Sequence, residues 1–68
     1  MSITVNGENH EVPKDLTIRE LLDHLDMKGQ QVAVARNADI VPRSEYEATP
    51  VASGDRIEIV HAIGGGRD

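Results

Sequence analysis

Ile57-Glu58-Ile59-Val60-His61-Ala62-Ile63-Gly64-Gly65-Gly66-Arg67-Asp68 is a strand pattern that runs into three consecutive glycines. With a period of two, Ile57 and Ile59 share one face with His61 and Ile63, while Glu58, Val60 and Ala62 share the other. Glycine forfeits more backbone entropy on ordering than any other residue, so three in a row make a poor structural element. They make a good probe, because a glycine chain is thin and offers its backbone to a partner with no Cβ in the way. By composition alone such an end reads as a frayed terminus. The elements ahead of it change that reading.

Working outward from this strand, Ser53-Gly54-Asp55 is the turn that launches it. Ser44 to Thr49 reads as a short helical turn carrying Tyr46, the single aromatic residue. Ile40-Val41 reads as a short extended piece ending at Pro42-Arg43, after a turn at Asn37-Ala38-Asp39. In Gln31 to Arg36, Val32 and Val34 alternate with Ala33 and Ala35, which gives a strand with one branched and one small apolar face. Leu16 to Leu25 carries several independent helix signals. Thr17 and Glu20 form a capping box, Leu16 and Leu21 stand at the positions of a hydrophobic staple, and Ile18, Leu21, Leu22 and Leu25 form one apolar stripe. Gly29 supplies a stop. At the start, Ile3 and Val5 alternate with polar residues, Asn6-Gly7 fits a type I′ turn, and Glu8 to Val12 returns as a polar outer strand ended by Pro13.

The chain has 68 residues, enough for one small domain. A chain of this size buries only about 60% of its unfolded surface. It contains no Cys, Phe or Trp, so aliphatic packing must hold it without disulfides or thiolate-bound metal. The net charge of -5, with no basic run, argues against nucleic acid and anionic membranes as partners and favours a basic protein surface. No signal segment or long apolar run is present, and the expected location is the cytoplasm.

A helix lying between an initial hairpin and later strands must cover one sheet face, because neither element can bury its apolar side alone. The expectation is therefore an α+β, β-grasp (ubiquitin-like) fold: a mixed sheet of four to five strands with one helix packed on one face. Residues 1–63 form the domain, and 64–68 form a flexible glycine tail with an Arg-Asp extension. The last strand is central, beside the first. The expected core is Ile3, Val5, Val12, Leu16, Ile18, Leu21, Leu22, Leu25, Val32, Val34, Ile40, Ile57 and Ile59.

Nearly the whole chain resembles the ThiS/MoaD-type family of ubiquitin-like sulfur carriers, and within it the thiamine-pathway branch. The resemblance rests on Thr17-Ile18-Arg19-Glu20-Leu21-Leu22, on Val34-Ala35-Arg36-Asn37 with Ile40-Val41-Pro42-Arg43, and above all on Gly54-Asp55-Arg56-Ile57-Glu58-Ile59-Val60-His61-Ala62-Ile63-Gly64-Gly65-Gly66. It implies a carrier and co-substrate in place of an enzyme. The carboxylate of Gly66 is adenylated in the Mg-ATP site of an E1-like (ThiF-type) adenylyltransferase. A sulfur donor, a cysteine desulfurase or similar, then displaces AMP to leave a thiocarboxylate, which gives sulfur to a ThiG-type thiazole synthase. A glycine carboxylate has no side chain to hinder approach, and the four residues from Ile63 to Gly66 reach about 13 Å, enough for Gly64, Gly65 and Gly66 to thread a partner's channel.

Other features fit a protein that brings no chemistry of its own. There is no Cys nucleophile and no Gly-rich strand-to-helix loop for phosphate. His10, His24 and His61 sit in separate elements without metal-ligand spacing, so no bound metal or cofactor is expected. If Ile57 and Ile59 face the helix, Val60 and Ala62 face outward beside Ala33 and Ala35. That small apolar patch, with Ile63, is the candidate docking surface, although scattered apolar residues are ordinary on protein surfaces. Arg36 and Arg43 are candidates for charge at its rim, or are simply solvated.

One feature departs from the family pattern. Active carriers end at glycine, whereas Arg67-Asp68 follows Gly66 here, so a tail-processing peptidase cutting between Gly66 and Arg67 is expected. The alternatives are a carrier of the same fold serving molybdopterin or another pathway, and a β-grasp interaction module or protein modifier without sulfur chemistry.

Overall fold

Asn6 and Gly7 adopt φ of 52° and 85°, the two left-handed positions of a type I′ turn. They close a hairpin of β1 (Ser2–Val5) and β2 (Glu8–Glu11). The computed structural model describes residues 1–27 and 31–61. Within them α1 (Ile18–His24), β3 (Val32–Arg36), β4 (Asp39–Val41), a 3-10 turn (Arg43–Glu45) and β5 (Arg56–His61) follow the hairpin.

The strands form a single sheet in the order β2-β1-β5-β3-β4. β1 and β5 run parallel and the other neighbours antiparallel. This is the expected mixed sheet, with five strands and the last one central. Ile3, Val5, Val32, Val34, Val41, Ile57 and Ile59 share a core with Ile18, Leu21 and Leu22 of the helix. The helix therefore covers one face.

The helix is shorter than the Leu16–Leu25 expected, because Leu16 precedes its cap and Leu25 forms its C-cap. Thr17 and Glu20 make the full capping box, with the Glu20 N–H donating to Thr17 Oγ1 at 3.2 Å and the Thr17 N–H donating to Glu20 Oε1 at 2.9 Å. The two other leading N–H groups, of Ile18 and Arg19, donate to the carbonyls of Thr49 and Tyr46 at 2.9 and 3.1 Å. These bonds dock the loop after β4 against the helix start. Gly29 lies outside the described residues, but the helix has already ended: Asp26 is left-handed at φ 62°, and Asp26 and Met27 donate to Asp23 and Leu22 in a Schellman pattern. Aspartate tolerates that conformation better than most residues, so no glycine is required.

The core differs from expectation at the second hairpin. Ile40, assigned to the core from sequence, is 72% exposed, and Val41 is buried in its place. Asn37 and Ala38, at φ 51° and 74°, close β3 onto β4 with a two-residue turn, which fixes Ala35 opposite Ile40 and Val34 opposite Val41. Val34 faces the core, so the register sends Val41 inward and Ile40 outward. Tyr46 and Val51 also join the core, with the Tyr46 hydroxyl donating to the Val32 carbonyl at 3.2 Å. Leu16 and Leu25 are only half-buried against it.

Candidate docking face and tail exit

The face of the sheet opposite the helix is divided in two. Its β2–β1 half presents Glu11 beside Ser2 and Asn9 beside Thr4. Its other half presents Ile40 beside Ala35 and Ala33 beside Val60, with Glu58 on the far side of Ala35. Val60 is 60% exposed, and Ala33 and Ala35 are half-buried between larger neighbours. The structure thus brings together three of the residues singled out for docking, Val60, Ala33 and Ala35, and adds Ile40. The signal for Ile40 was present in the sequence. A two-residue turn at Asn37-Ala38 pairs positions 35 and 40 by counting alone.

The remaining residues singled out, Ala62, Ile63, Gly64, Gly65, Gly66 and Arg67, lie outside the described residues. Arg43 is exposed at the start of the 3-10 turn. Arg36 is not at the patch rim. It shares the inward parity of Val34, and its guanidinium Nε donates to Asp55 Oδ2 at 2.6 Å.

The strand that leads to the glycines is held at both ends by turn asparagines. At its start, the Arg56 N–H donates to Asn37 Oδ1 at 2.9 Å, and Asn37 Nδ2 donates to Asp55 Oδ1 at 3.1 Å. Farther along, the Ile59 N–H donates to Asn6 Oδ1 at 2.8 Å, and Asn6 Nδ2 donates to the Ile59 carbonyl at 3.0 Å. β1 pairs with β5 only through Thr4–Arg56 and Val5–Ile57. The Asn6 carboxamide supplies the next rung after the β1 backbone has turned away.

Asp55 is the one buried charged residue among those described. Burial pushes its carboxyl pKa up, but hydrogen bonds from Arg36, the Ala52 N–H and Asn37, with the Arg36 charge, outweigh that and hold it below the ordinary value of 3.8. The anion is therefore kept, and it ties the turn before β5 to the end of β3. His10, His24 and His61 stand on β2, the last turn of α1 and β5. Among the described residues no cluster of three or more His, Cys, Asp or Glu has the arrangement of a metal site. None of their helices is long and apolar enough to cross a membrane.

A central last strand beside the first and a capped helix on one face define a β-grasp (ubiquitin-like) fold, and in the sequence three glycines follow that strand. The ThiS family model matches residues 3–66, and the chain belongs to that family. It is 35% identical to the sulfur carrier protein ThiS of Escherichia coli over 66 residues, which is 97% of this chain and 100% of that one. A crystal structure of the thiamine biosynthesis protein ThiS from Geobacter metallireducens superposes with a TM-score of 0.85 at 35% identity, covering 97% of this chain and 100% of that one. A thiazole synthase of Paramagnetospirillum magneticum is 43% identical over 68 residues, all of this chain and 21% of the relative. The chain spans about a fifth of the length of that relative and of a second thiazole synthase, from Magnetococcus marinus.

Proposed function

We propose that this chain is a sulfur carrier for thiamine (thiazole) biosynthesis and is acted upon by enzymes without being one. The observation that carries the reading is the family match, which runs through the three glycines and stops at Gly66, the residue whose carboxyl the chemistry needs. That carboxylate attacks the α-phosphorus of ATP in the Mg-ATP site of an E1-like, ThiF-type adenylyltransferase and expels pyrophosphate. The persulfide of a sulfur donor such as a cysteine desulfurase then displaces AMP to give an acyl disulfide. A thiol reduces its S–S bond and is itself oxidised to a disulfide, and the thiocarboxylate so released delivers sulfur to a ThiG-type thiazole synthase. Relatives named thiazole synthase that contain a segment matching this chain support the last partner.

The amide between Gly66 and Arg67 leaves Gly66 without a carboxylate, so the reading requires a peptidase to cut there. For docking, we assign Val60, Ala33, Ala35 and Ile40, together with Ala62 and Ile63, to the surface that meets the partner while Gly64 to Gly66 enter its channel. Small side chains on a flat sheet face allow close approach of a second backbone.

The test is the intact mass of the protein from its own cells, then with a ThiF-type enzyme, ATP and a sulfur donor. Loss of the Arg and Asp residue masses followed by the change from oxygen to sulfur is expected. A protein that keeps Arg67-Asp68 and gains no sulfur while the cells make thiamine overturns the reading in favour of an interaction module.

A further inference from the structure

We infer that Asn6 is a positioning residue for the tail: its carboxamide fixes the line along which β5 leaves the sheet. The inference rests on the carrier reading and adds a residue far from Gly66 in sequence. β5 has β3 on one side as far as His61, through the Val32–His61 pair. On its other side the β1 backbone contributes its last bond at the Asn6 N–H, which donates to the Ile57 carbonyl at 2.9 Å. The Asn6 carboxamide then takes both backbone groups of Ile59, acting as a single extra residue of strand. The strand is thereby flanked on both sides at Ile59, seven positions ahead of Gly66, and the Ile59 backbone groups themselves are held by Asn6. A tail that must enter a narrow channel benefits from a fixed point of departure, because the directions it must sample before entry are fewer.

Asparagine suits this position for two separable reasons. Its backbone tolerates φ of 52°, and its side chain carries a donor and an acceptor in one plane. Asn6→Gly keeps the first property and removes the second. Asn37→Gly removes a comparable pair of side-chain bonds at the opposite end of β5 and serves as the matched control.

Two measurements test the inference. Amide hydrogen exchange on the full chain is expected to speed up at Ile59 by about tenfold in Asn6→Gly and to stay unchanged there in Asn37→Gly. Pyrophosphate release is then followed with chains ending at Gly66, a ThiF-type adenylyltransferase and Mg-ATP, at a temperature where all variants are folded. Asn6→Gly is expected to raise KM for the carrier about tenfold with kcat little changed, because the bound tail reacts as before, while Asn37→Gly stays near wild type. Equal KM values for the two variants, or Ile59 exchange unaffected by Asn6→Gly, overturn the inference while leaving the carrier reading intact. A wild-type chain ending at Gly66 that is never adenylated overturns both.

Discussion

The two hairpins close with the same backbone geometry. Asn6-Gly7 and Asn37-Ala38 each place two consecutive residues at positive φ, each begins with asparagine, and each asparagine reaches across to β5. They differ in what stands behind the asparagine. At Asn37 a buried carboxylate, Asp55, binds the Asn37 amide, the Arg36 guanidinium and the Ala52 N–H together. At Asn6 the carboxamide and the Ile59 backbone pair with each other alone. The start of β5 is therefore fixed redundantly, whereas at Ile59 the β1 side is bridged by the one carboxamide. That asymmetry fits the carrier role proposed above, in which β5 begins in the core and ends by handing on the glycines.

The heaviest test of the comparison is to remove Asp55. Asp55→Ala leaves three donors without their acceptor in a largely buried site, and is expected to cost about 3 kcal/mol in urea denaturation. The same group sets an acid dependence. Its folded pKa lies below the ordinary 3.8, so its contribution is fully present above that value. As pH falls, the unfolded chain takes the proton first, and the contribution disappears as pH drops through the lower folded value. Thermal melts of wild type and Asp55→Asn are thus expected to differ most above about pH 4 and to converge below it. A gap between the two that persists unchanged to the lowest pH would show that the ion is not what stabilises this corner.

Next in size is the register of the second hairpin. Val41→Ala removes buried methyl groups from the core and is expected to cost about 2 kcal/mol, whereas Ile40→Ala should stay within about 0.5 kcal/mol. Reversed costs would mean that the turn pairs β3 and β4 one residue out of step. Ile40→Ala also bears on the proposed docking face, where slower adenylation by a ThiF-type enzyme without loss of stability is the expected result.

What the sequence disclosed follows the range of the interactions concerned. The capping box of Thr17 and Glu20, the Asn6-Gly7 turn and the alternation of Ile57 and Ile59 are decided within a few residues, and each is found as read. Ile40 reads as a core residue from sequence because its short strand has too few alternations to fix parity; the register set by the neighbouring two-residue turn sends it outward. Tyr46, Val51 and the Arg36–Asp55 pair depend on segments far apart in the chain. No local pattern marks them. Asn6 and Asn37 were legible as turn residues, but their second role requires knowing that β5 lies between the two hairpins.

The smallest effect is a direct exchange of the residues that distinguish the two turns. Gly7 sits at φ 85° with open space where a Cβ would stand, so Gly7→Ala meets no clash and carries only the cost of the left-handed conformation, about 1 kcal/mol. Ala38 already bears that cost at φ 74°. Ala38→Gly relieves it but gives the unfolded chain more freedom, so the net gain is expected to be only about 0.5 kcal/mol, read as a small rise in Tm. If Ala38→Gly instead destabilises the protein, the Ala38 methyl makes a contact that outweighs its strain, and the two turns are less alike than their backbones. If both substitutions behave as expected, the hairpins differ in backbone strain at this second position as well as in what stands behind their asparagines. The first turn, whose asparagine has less support, then carries the less strained backbone.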